Sequence, residues 1–410
     1  MPIQSVLLCG GVGSRLWPIS QPPKQFCKVF SDNTMLHNTL SRLHKSYNPP
    51  IITTNITYES LIIKELDSVC LQKPTVILEP AQIGTAASIL LAIADCCDDT
   101  IIVVLPTDHY IENKVDFQKC LEQAITIAKS NDAVVIIGKK PNYPSSEFGY
   151  IKAVYNDTIS CYSVNKFIEK PLNIPSEEYF WNLGIFIFKA KYYFSEVTKL
   201  APNVYKTCIE SRKNSTTQNN LVYLKDEDFM QIHPVSFDYM IMQKTKKALM
   251  IEATFDWIDV GTWNGILSIV ERLIKNHFSS SVLYYMKDVV SDNIAVKEKV
   301  VKPWGFYSVI AKRENFLIKY LHINPARATS MQLHKHRDEY YVILSGTACI
   351  TLNTKIHTIN QSAVIEISRL SIHRIENKSN DNALQIIEIQ IGNYISENDI
   401  IRLFDNYGRV

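Results

Sequence analysis

The sequence has no long apolar run. Its continuous apolar stretches, such as residues 89–94 and 101–105, are far shorter than the roughly 20 residues that a membrane-spanning helix needs. The N-terminus has no basic leader, and a Gly-rich turn interrupts it before the apolar core of a signal sequence could form. We therefore expect no membrane segment and a cytoplasmic location.

The sequence also lacks an excess of either charge. The 43 Lys and Arg residues are nearly balanced by 41 Asp and Glu residues, which leaves a formal net charge of +2 over 410 residues. No run of Lys or Arg is long enough to follow a polyanion, so we do not expect nucleic acid as a partner. Because 46% of the residues are hydrophobic, the chain can build two or three cores, which argues against intrinsic disorder.

Paired cysteine motifs are absent as well. The nine cysteines include one adjacent pair, Cys96-Cys97, and no Cys-x-x-Cys of the kind that a zinc ribbon or a redox site requires. We expect buried, reduced thiols. The sequence has no internal repeat, and its one polar low-complexity tract, residues 214–220, predicts a mobile surface loop.

Short apolar strands alternate with helical patterns over about the first 270 residues. The predicted strands are 5–8, 51–53, 75–78, 101–105 and 133–138, and the clearest predicted helices are 85–94 and 117–128. Continuously apolar strands separated by helices are typical of a mainly parallel sheet covered on both faces. The sequence therefore predicts an α/β domain over residues 1–275.

The pattern changes to an all-β one from about residue 302. Predicted strands at 315–323, 340–344, 347–352, 362–367 and 383–390 follow one another with turns and little helix between them. We predict a small β-barrel or β-sandwich over residues 302–410. Residues 276–301 have a mixed pattern and are predicted to connect the two domains.

A glycine-rich loop follows the first predicted strand. Gly10, Gly11 and Gly13 allow the backbone to turn tightly and to bring its N–H groups close to phosphate oxygens. Two cations downstream, Arg15 and Lys24, could neutralise a triphosphate. The loop is neither a Walker A motif nor a complete dinucleotide fingerprint. The sequence therefore predicts a phosphate-binding loop of another kind.

Two aspartates are candidate metal ligands. Asp108 follows a buried strand, at the edge of the sheet where α/β proteins bind ligands, and Asp259 precedes a glycine turn. Mg²⁺ prefers one or two carboxylates together with phosphate oxygens. We predict that Asp108 and Asp259 meet and hold Mg²⁺ beside a bound triphosphate.

A second candidate metal site lies near the C-terminus. Alternate residues of a strand face the same side, so Gln332, His334 and His336 are predicted to form one row. Glu339 follows after a short step, and His373 comes from a distant segment. Imidazoles with a carboxylate suit Zn²⁺, Co²⁺, Ni²⁺ or Mn²⁺. We expect His334, Glu339 and His373 to bind such an ion, with either Gln332 or His336 as the fourth ligand.

The N-terminal motifs resemble those of the sugar nucleotidylyltransferases. The sequence GGVGSRLWPIS with PPKQF is most similar to the mannose-1-phosphate guanylyltransferase family, and the resemblance covers about residues 3–270. It implies transfer of GMP from GTP to mannose 1-phosphate, with release of pyrophosphate. It also implies that Lys24 contacts the phosphates.

The same resemblance assigns residues to the two sides of the site. The base side is formed by Glu79, Gly84 and Thr85, and the sugar-phosphate side by Gly149, Glu169, Lys170 and Asn182. Residues 83–88 read IGTAAS where the family usually has RNTAPA, a departure that bears on the choice of base.

The C-terminal part of the sequence reads KPWGFY at residues 302–307 and SIHRIEN at residues 371–377, on either side of the predicted ligand strand. These motifs resemble the type II phosphomannose isomerase domain, a cupin. The resemblance covers about residues 300–410 and implies interconversion of mannose 6-phosphate and fructose 6-phosphate. Arg327 and Arg374 are possible phosphate contacts. Ser368 and Leu370 replace the usual Pro and Gly before the late histidine, and the connecting region is shorter than in the family.

Together these motifs predict a bifunctional enzyme, and two alternatives stay open. One is a nucleotidylyltransferase for another hexose or heptose 1-phosphate with an inactive cupin. The other is a regulatory protein that binds sugar nucleotides without turnover. A homo-oligomer is left open.

Overall fold

The computed structural model describes residues 1–67, 73–173, 178–275, 286, 294, 296 and 298–409. The chain forms two compact units. The first unit comprises Met1–Gly11 and Leu36–Trp257, and the second comprises Val12–Met35 and Ile258–Val410. The second unit therefore includes a segment from near the N-terminus. The predicted connection, residues 276–301, lies largely outside the described residues.

The described residues of the first unit combine twelve strands with seven α-helices. Its strands are β1 (Ile3–Leu8), β2 (Ile51–Asn55), β3 (Thr75–Glu79), β4 (Ile101–Pro106), β5 (His109–Ile111), β6 (Val134–Lys139), β7 (Tyr150–Asn156), β8 (Cys161–Ile168), β9 (Tyr179–Lys189), β10 (Thr216–Gln218), β11 (Leu221–Tyr223) and β12 (Ala248–Glu252). Its helices are α1 (Met35–Leu40), which begins at the boundary, α2 (Glu59–Asp67), α3 (Thr85–Ile93), α4 (Lys114–Ser130), α5 (Ala190–Leu200), α6 (Pro202–Lys213) and α7 (Asp226–Phe229). A π-helical turn spans Asp238–Met242.

The large sheet of this unit is mixed. Its strand order is β10-β11-β3-β2-β1-β4-β9-β6-β12-β8-β7. The run from β11 to β4 is parallel, as predicted, whereas β9 is antiparallel to both β4 and β6. No described helix connects β6 to β7, β7 to β8 or β8 to β9, and parallel neighbours need such a crossover. The prediction of a mainly parallel sheet therefore holds for the half from β11 to β4. In the other half, β6 and β12 form the one parallel pair among the described strands.

Two helices show how the sequence builds the core. Helix α3 is apolar on every side, and its residues 86–93 are buried against β1, β2 and α6. Helix α4 is amphipathic, with buried residues at helical spacing from Phe117 to Ala128. The Asn113 side chain accepts hydrogen bonds from the N–H groups of Val115 and Asp116 and so caps the start of α4. Each predicted strand and helix of this half corresponds to an observed element, and the predicted and observed ends differ by at most three residues.

The polar tract at residues 214–220 forms a strand. Three of its residues make up β10, which pairs antiparallel with β11 through Thr217 and Val222. All three β10 residues are exposed, so the polar composition reflects an edge strand in solvent. The prediction of a loop was wrong here.

The second unit is largely β-structure. It contains β13 (Trp257–Asp259), which begins at the boundary, β14 (Val300–Lys302), β15 (Gly305–Arg313), β16 (Phe316–Ile323), β17 (Met331–His334), β18 (Arg337–Ser345), β19 (Ala348–Leu352), β20 (Lys355–Ile359), β21 (Val364–Ile367), β22 (His373–Glu376), β23 (Leu384–Gly392) and β24 (Ile400–Phe404). Helix α8 (Trp263–Lys275) and the short 3₁₀ helices Ser14–Leu16, Lys24–Phe26 and Glu397–Asp399 also belong to it.

Two sheets form the core of this unit. One has the order β14-β15-β16-β23-β18-β21, and the other β20-β19-β22-β17-β24. Residues from both sheets, such as Ile343, Ile350, Ile375 and Ile386, join one buried apolar cluster. The prediction of an all-β domain is confirmed. The end strands of each sheet do not pair with each other, so the predicted closed cupin barrel is not confirmed. Among the described strands, a closed ring of pairings occurs in the first unit, where β7 also pairs with β9.

No helix in the described part of the chain is both long enough and apolar enough to cross a bilayer. The eight cysteines in that part all carry free thiols, and six of them are buried.

Candidate functional sites

The glycine-rich loop starts at the carboxyl end of β1, in the first unit. The Cys9 N–H donates to the Thr53 carbonyl at 2.8 Å, and the Thr54 hydroxyl donates to the Cys9 carbonyl at 2.9 Å. The Gln82 side-chain amide donates to the Gly10 carbonyl at 3.1 Å. These bonds fix the start of the loop at the end of β2, where α/β sheets bind ligands.

Glu79, the last residue of β3, lies beside this loop. The position that a Cβ atom would take at Gly10 is 3.6 Å from Glu79 Oε2. The side chain is 4% exposed, and within the described chain its Oε1 has no hydrogen-bond partner. Burial raises the pKa of Glu79 to about 7, and a hydrogen bond with Ser88 offsets part of this rise. Near neutral pH this carboxyl group can therefore donate or accept a hydrogen bond.

Gly84 and Thr85 stand at the start of α3. The Thr85 hydroxyl accepts a hydrogen bond from the Phe237 N–H at 2.8 Å, and the Ala86 N–H donates to the Val235 carbonyl at 3.2 Å. These bonds give the segment a structural role in holding residues 235–237. These hydrogen bonds do not test the contact of Gly84 and Thr85 with the nucleotide base, which stays a prediction.

The four residues predicted on the sugar-phosphate side come together in the first unit. The Asn182 N–H donates to the Gly149 carbonyl at 2.8 Å. A Cβ atom at Gly149 would lie 2.7 Å from Glu169 Oε2, so only glycine fits there without displacing the carboxylate. Lys170 Nζ is 3.6 Å from Glu169 Oε1. Three separate strands or strand ends thus deliver their motif residues to one cluster.

Asp238 completes this cluster, and the sequence reasoning missed it. Asp238 Oδ1 accepts a hydrogen bond from Asn182 Nδ2 at 2.8 Å, while Asn182 Oδ1 accepts one from the Gly184 N–H at 2.7 Å. Both ends of the Asn182 amide are therefore held. In the sequence, Asp238 precedes an apolar run at residues 240–242, which has the appearance of an ordinary helix start.

Two half-buried carboxyl groups, those of Glu169 and Asp238, lie close together in this cluster. Burial, and to a smaller extent the charge of Asp238, raise the pKa of Glu169 to about 7, and Lys170 lowers it in part. Burial also raises the pKa of Asp238, against the hydrogen bond from Asn182. The cluster can therefore keep a proton near neutral pH and present both a donor and acceptors to a polyhydroxyl ligand.

The remaining residues of the predicted loop lie in the second unit. A Cβ atom at Gly13, where φ is +73°, would lie 2.9 Å from the Lys24 Cβ, so Gly13 and Lys24 are packed together. Arg15 lies on the short helix Ser14–Leu16, and Lys24 begins the helix Lys24–Phe26. Gly10 and Gly11 belong to the first unit, so the unit boundary falls inside the glycine motif.

The two candidate Mg²⁺ ligands are also divided between the units. Asp108 follows β4 in the first unit and is half-buried. Asp259 ends β13 in the second unit, is half-buried, and accepts a hydrogen bond from the Gly261 N–H at 2.7 Å. Their meeting around one ion stays a prediction.

In the second unit, His334, Glu339 and His373 form one buried cluster. One ligand atom from each lies within 4.8 Å of the other two. His334 Nε2 is 3.1 Å from Glu339 Oε1, and His373 Nε2 is 3.5 Å from Glu339 Oε2. The three side chains are at most 2% exposed. Two imidazoles and a carboxylate at this spacing are a donor set that fits a divalent transition metal.

Gln332, and not His336, faces this cluster. Gln332 Nε2 lies 3.4 Å from the Nε2 atoms of both His334 and His373. His336 is exposed, and its ring lies 5.7 Å from that of Tyr394. Strand β17 ends at His334, so the alternation that predicted one row does not reach residue 336. Gln332 therefore takes the place of fourth ligand candidate.

Glu339 is also held by neutral and cationic donors. Arg337 Nε donates to its Oε1 at 2.9 Å, Gln390 Nε2 donates to the same oxygen at 3.2 Å, and the Tyr341 hydroxyl donates to Oε2. Burial disfavours the charged form of Glu339, but His334 and hydrogen bonds from both histidines hold its pKa well below the usual range. Its charge is thus present across the physiological pH range.

A pocket lined in part by charged side chains adjoins this cluster. Its cationic lining residues are Lys302, Lys319, Arg337, Arg402 and Arg409. The acids Glu388 and Glu397 also line it, and Lys319 Nζ lies 2.7 Å from Glu397 Oε1. The predicted phosphate contacts Arg327 and Arg374 are not among the described residues that line the pocket. Arg327 is exposed, and Arg374 lies over the Phe404 ring, so the cations of this pocket were missed because they are scattered along the sequence.

Comparison with protein families gives two matches along the chain. Residues 4–276 match the family described as nucleotidyl transferase, and residues 290–405 match the mannose-6-phosphate isomerase C-terminal family. With the fold described above, these matches define a nucleotidyl transferase followed by an all-β isomerase-type domain.

Individual relatives cover almost the whole chain. The mannose-1-phosphate guanylyltransferase of Klebsiella pneumoniae is 30% identical over an alignment of 470 positions, gaps included, which covers 98% of this chain and 99% of that protein. The alginate biosynthesis protein AlgA of Pseudomonas fluorescens is also 30% identical, with coverage of 98% and 96%. The chain therefore belongs to the mannose-1-phosphate guanylyltransferase family, which confirms the resemblance of its motifs.

Solved structures agree with this fold. The crystal structure of a mannose-1-phosphate geranyltransferase from Thermus thermophilus is 25% identical, has a TM-score of 0.55, and covers 64% of this chain and 78% of that chain. That of the Helicobacter pylori mannose-6-phosphate isomerase has the same TM-score of 0.55 at 24% identity, and covers 63% of this chain and 100% of that chain. The second likeness concerns the fold alone.

Proposed function

We propose that the protein transfers GMP from GTP to mannose 1-phosphate, forming GDP-mannose and releasing pyrophosphate. The observation that carries this proposal is the convergence of Gly149, Glu169 and Asn182 in one cluster, in which Glu169 is half-buried and the other two residues are buried. These residues come from motifs that resemble the sugar-phosphate segments of the family, and relatives along the whole chain are named mannose-1-phosphate guanylyltransferases. Such substrates fit a cytoplasmic location.

The proposed reaction is an in-line displacement at phosphorus. A phosphate oxygen of mannose 1-phosphate attacks the α-phosphorus of GTP, the new P–O bond forms, and the bond to the β-phosphate oxygen breaks as pyrophosphate leaves. Catalysis depends on positioning and charge neutralisation, with no covalent enzyme intermediate. In this proposal Arg15 and Lys24 offset the charge of the leaving pyrophosphate.

Asp108 and Asp259 would hold Mg²⁺ in this reaction. Both are half-buried carboxylates at strand ends, and carboxylate oxygen suits this hard cation. When bound, Mg²⁺ would neutralise phosphate charge and orient the reacting groups. The proposal requires the two residues to act on the same nucleotide.

The carboxyl and amide groups provide selectivity in this proposal. Glu169 and the fixed amide of Asn182 would bind sugar hydroxyl groups, and the buried Glu79 would face the base. A site built to hydrogen-bond a particular hydroxyl discriminates strongly against analogues that lack it, because its buried groups are then left unpaired.

A matrix of substrates tests this proposal. Each of the four nucleoside triphosphates is combined with mannose, glucose and heptose 1-phosphates, and pyrophosphate release is measured. We expect the highest kcat/KM for GTP with mannose 1-phosphate. A clear preference for another pair would support a different nucleotidylyltransferase, and binding without turnover of any pair would support the regulatory alternative.

We further propose that the second unit interconverts mannose 6-phosphate and fructose 6-phosphate. The buried cluster of His334, Glu339 and His373 supports this activity, together with the cationic pocket beside it. Gln332 and these three residues would hold a divalent ion, which when bound would polarise a carbonyl or hydroxyl oxygen of the open-chain sugar. Lysine and arginine side chains of the pocket would bind the phosphate group.

Metal dependence tests this second activity. Protein treated with a chelator is reloaded with Zn²⁺, Co²⁺, Ni²⁺ or Mn²⁺, and isomerisation is measured in both directions. We expect activity with at least one of these ions and none without metal. Absence of isomerisation with all four ions would contradict the proposal and leave the domain a structural role.

A further inference from the structure

The phosphate-loop segment of the chain, residues 12–35, is bound to the sheets of the second unit. The assignment of this segment to the second unit follows from its contacts, although it is separated in sequence from the rest of that unit by more than 200 residues. The contacts fall into two groups, one near Phe30 and one near Trp17.

The first group is polar and centres on Gln361. The Gln361 side-chain amide donates hydrogen bonds to the Ser31 carbonyl at 2.8 Å and to the Leu344 carbonyl at 2.7 Å. The Phe30 N–H donates to the same Leu344 carbonyl at 3.1 Å. The Ser362 hydroxyl donates to the Phe30 carbonyl at 3.4 Å. Gln361 thus joins the segment to strand β18 through two backbone carbonyls.

The second group is aromatic. Trp263 of α8 is fully buried, and its indole N–H donates to the Trp17 carbonyl at 3.1 Å. The Trp263 ring lies 5.7 Å from that of Tyr320 in β16. Lys299 Nζ lies 5.3 Å from the Trp17 ring centroid and 4.3 Å from that of Phe306. The segment is therefore held at two places by residues outside it.

Bonds within the segment connect these contacts to Lys24. The Cys27 N–H donates to the Lys24 carbonyl at 3.0 Å, and the Met35 N–H donates to the Cys27 carbonyl at 3.1 Å. The loop that contains Phe30 thus begins and ends beside the helix that carries Lys24. Gly13 packs on the Lys24 side chain from the other direction. Displacement of Phe30 and Ser31 would therefore be transmitted to the cation of the loop.

We infer that the isomerase-type domain positions the phosphate-binding loop of the transferase, and that Gln361 is a positioning residue for the nucleotide. The expected effect of Gln361 on nucleotide binding rests on the proposed function, because the role of Lys24 in phosphate binding is part of that proposal. Gln361 lies in the turn between β20 and β21, outside every motif assigned to either activity. In this inference Gln361 acts by fixing the backbone of residues 30–31 and not through a contact of its own with substrate.

The test replaces Gln361 by glutamate. Gln361→Glu keeps the size of the side chain but points a carboxylate at two carbonyl oxygens. Asn360→Asp is the matched control, because it makes the same chemical change at the neighbouring exposed position, where the side chain accepts a hydrogen bond from Thr347. Ser362→Ala is a milder second variant, which removes only the 3.4 Å hydrogen bond from Ser362 to the Phe30 carbonyl. It is used if Gln361→Glu does not fold.

Kinetic constants provide the first readout. Loss of two hydrogen bonds is expected to raise the KM for GTP about tenfold in Gln361→Glu, with a smaller rise in Ser362→Ala. The kcat for isomerisation should stay at the wild-type value in both variants and in the control. A KM for GTP that is unchanged in both variants would overturn the inference.

Amide hydrogen exchange provides a readout that does not depend on the proposed function. The Phe30 N–H is hydrogen-bonded to Leu344, so peptides covering residues 27–31 should exchange faster in Gln361→Glu than in Asn360→Asp. Failure of the wild-type protein to release pyrophosphate would refute the proposed function, and the exchange comparison would still decide whether Gln361 holds the loop. Equal exchange in the variant and the control would refute that role.

Discussion

Glu169 offers a sharp test of the electrostatics of the sugar-side cluster. Its side chain is 10% exposed, and burial together with Asp238 raises its pKa from 4.5 to about 7. The folded protein therefore binds a proton at Glu169 more tightly than the unfolded chain does. The resulting stabilisation is fully present below pH 4.5 and is lost as the pH rises through about 7.

The size of this effect follows from the two pKa values. For a carboxyl group with pKa 4.5 in the unfolded chain and about 7 in the folded one, the free energy of unfolding decreases by about 2.5 kcal/mol between pH 5 and pH 8. Glu169→Gln keeps the shape and cannot ionise, so it should lack this decrease. Relative to the wild type, the variant is expected to gain about 2.5 kcal/mol of stability on going from pH 5 to pH 8.

Urea denaturation at the two pH values measures this difference, with tryptophan fluorescence as the signal. Glu178→Gln is the control, because the Glu178 side chain is 71% exposed and pairs with Lys152 at the surface. Glu79 has a raised pKa of its own, so only the difference between variant and wild type isolates Glu169. If wild type and Glu169→Gln lose the same stability between pH 5 and pH 8, the proposed electrostatics of the cluster are wrong.

Three further predictions concern activity. Asp259→Asn should abolish pyrophosphate release and leave isomerisation intact. The control Asp256→Asn, at an exposed neighbouring position, should retain both activities. Equal loss of both activities in Asp259→Asn would contradict separate sites. His334→Ala should reduce metal binding, measured by metal analysis after dialysis, and isomerisation by more than about 100-fold, while His336→Ala keeps both; a large loss in His336→Ala would restore that residue as a ligand. Gly149→Ala should raise the KM for mannose 1-phosphate more than that for GTP, because its methyl group would displace the Glu169 carboxylate, and an unchanged KM would exclude a role of this contact in sugar binding.

Apolar runs made the inner strands and helices predictable. Strand β4 and helix α3 are buried on all sides, so their sequences are continuously apolar and their type follows from length and residue choice. The direction of β9 was not predictable, because an apolar strand has the same composition whether its neighbours are parallel or antiparallel. Strands β17 and β22 have only four residues each and carry the polar candidate ligands, so they lack the apolar signature of a strand.

The sequence identified most residues of the candidate sites, but it predicted only part of their arrangement in space. The motif residues Gly149, Glu169 and Asn182 do converge, and so do His334, Glu339 and His373. The error at His336 has a local cause. Asp399 accepts hydrogen bonds from the N–H groups of Lys335 and His336 at 3.1 and 3.2 Å, and these bonds turn the chain out of the strand. An acid more than 60 residues away in the sequence cannot be read from the local pattern.

The placement of residues 12–35 in the second unit has a consequence for biosynthesis. The partners Ser31 and Gln361 are 330 residues apart. At a translation rate of about 5 to 20 residues per second, the segment leaves the ribosome roughly 15 to 65 s before Gln361 is made. A nascent chain that has finished its first sheet thus still carries an unanchored loop with apolar residues such as Leu16, Phe26 and Phe30. Acquisition of a competent nucleotide loop is expected to be a late, post-translational event, and chaperones that shield apolar segments have that interval in which to bind it.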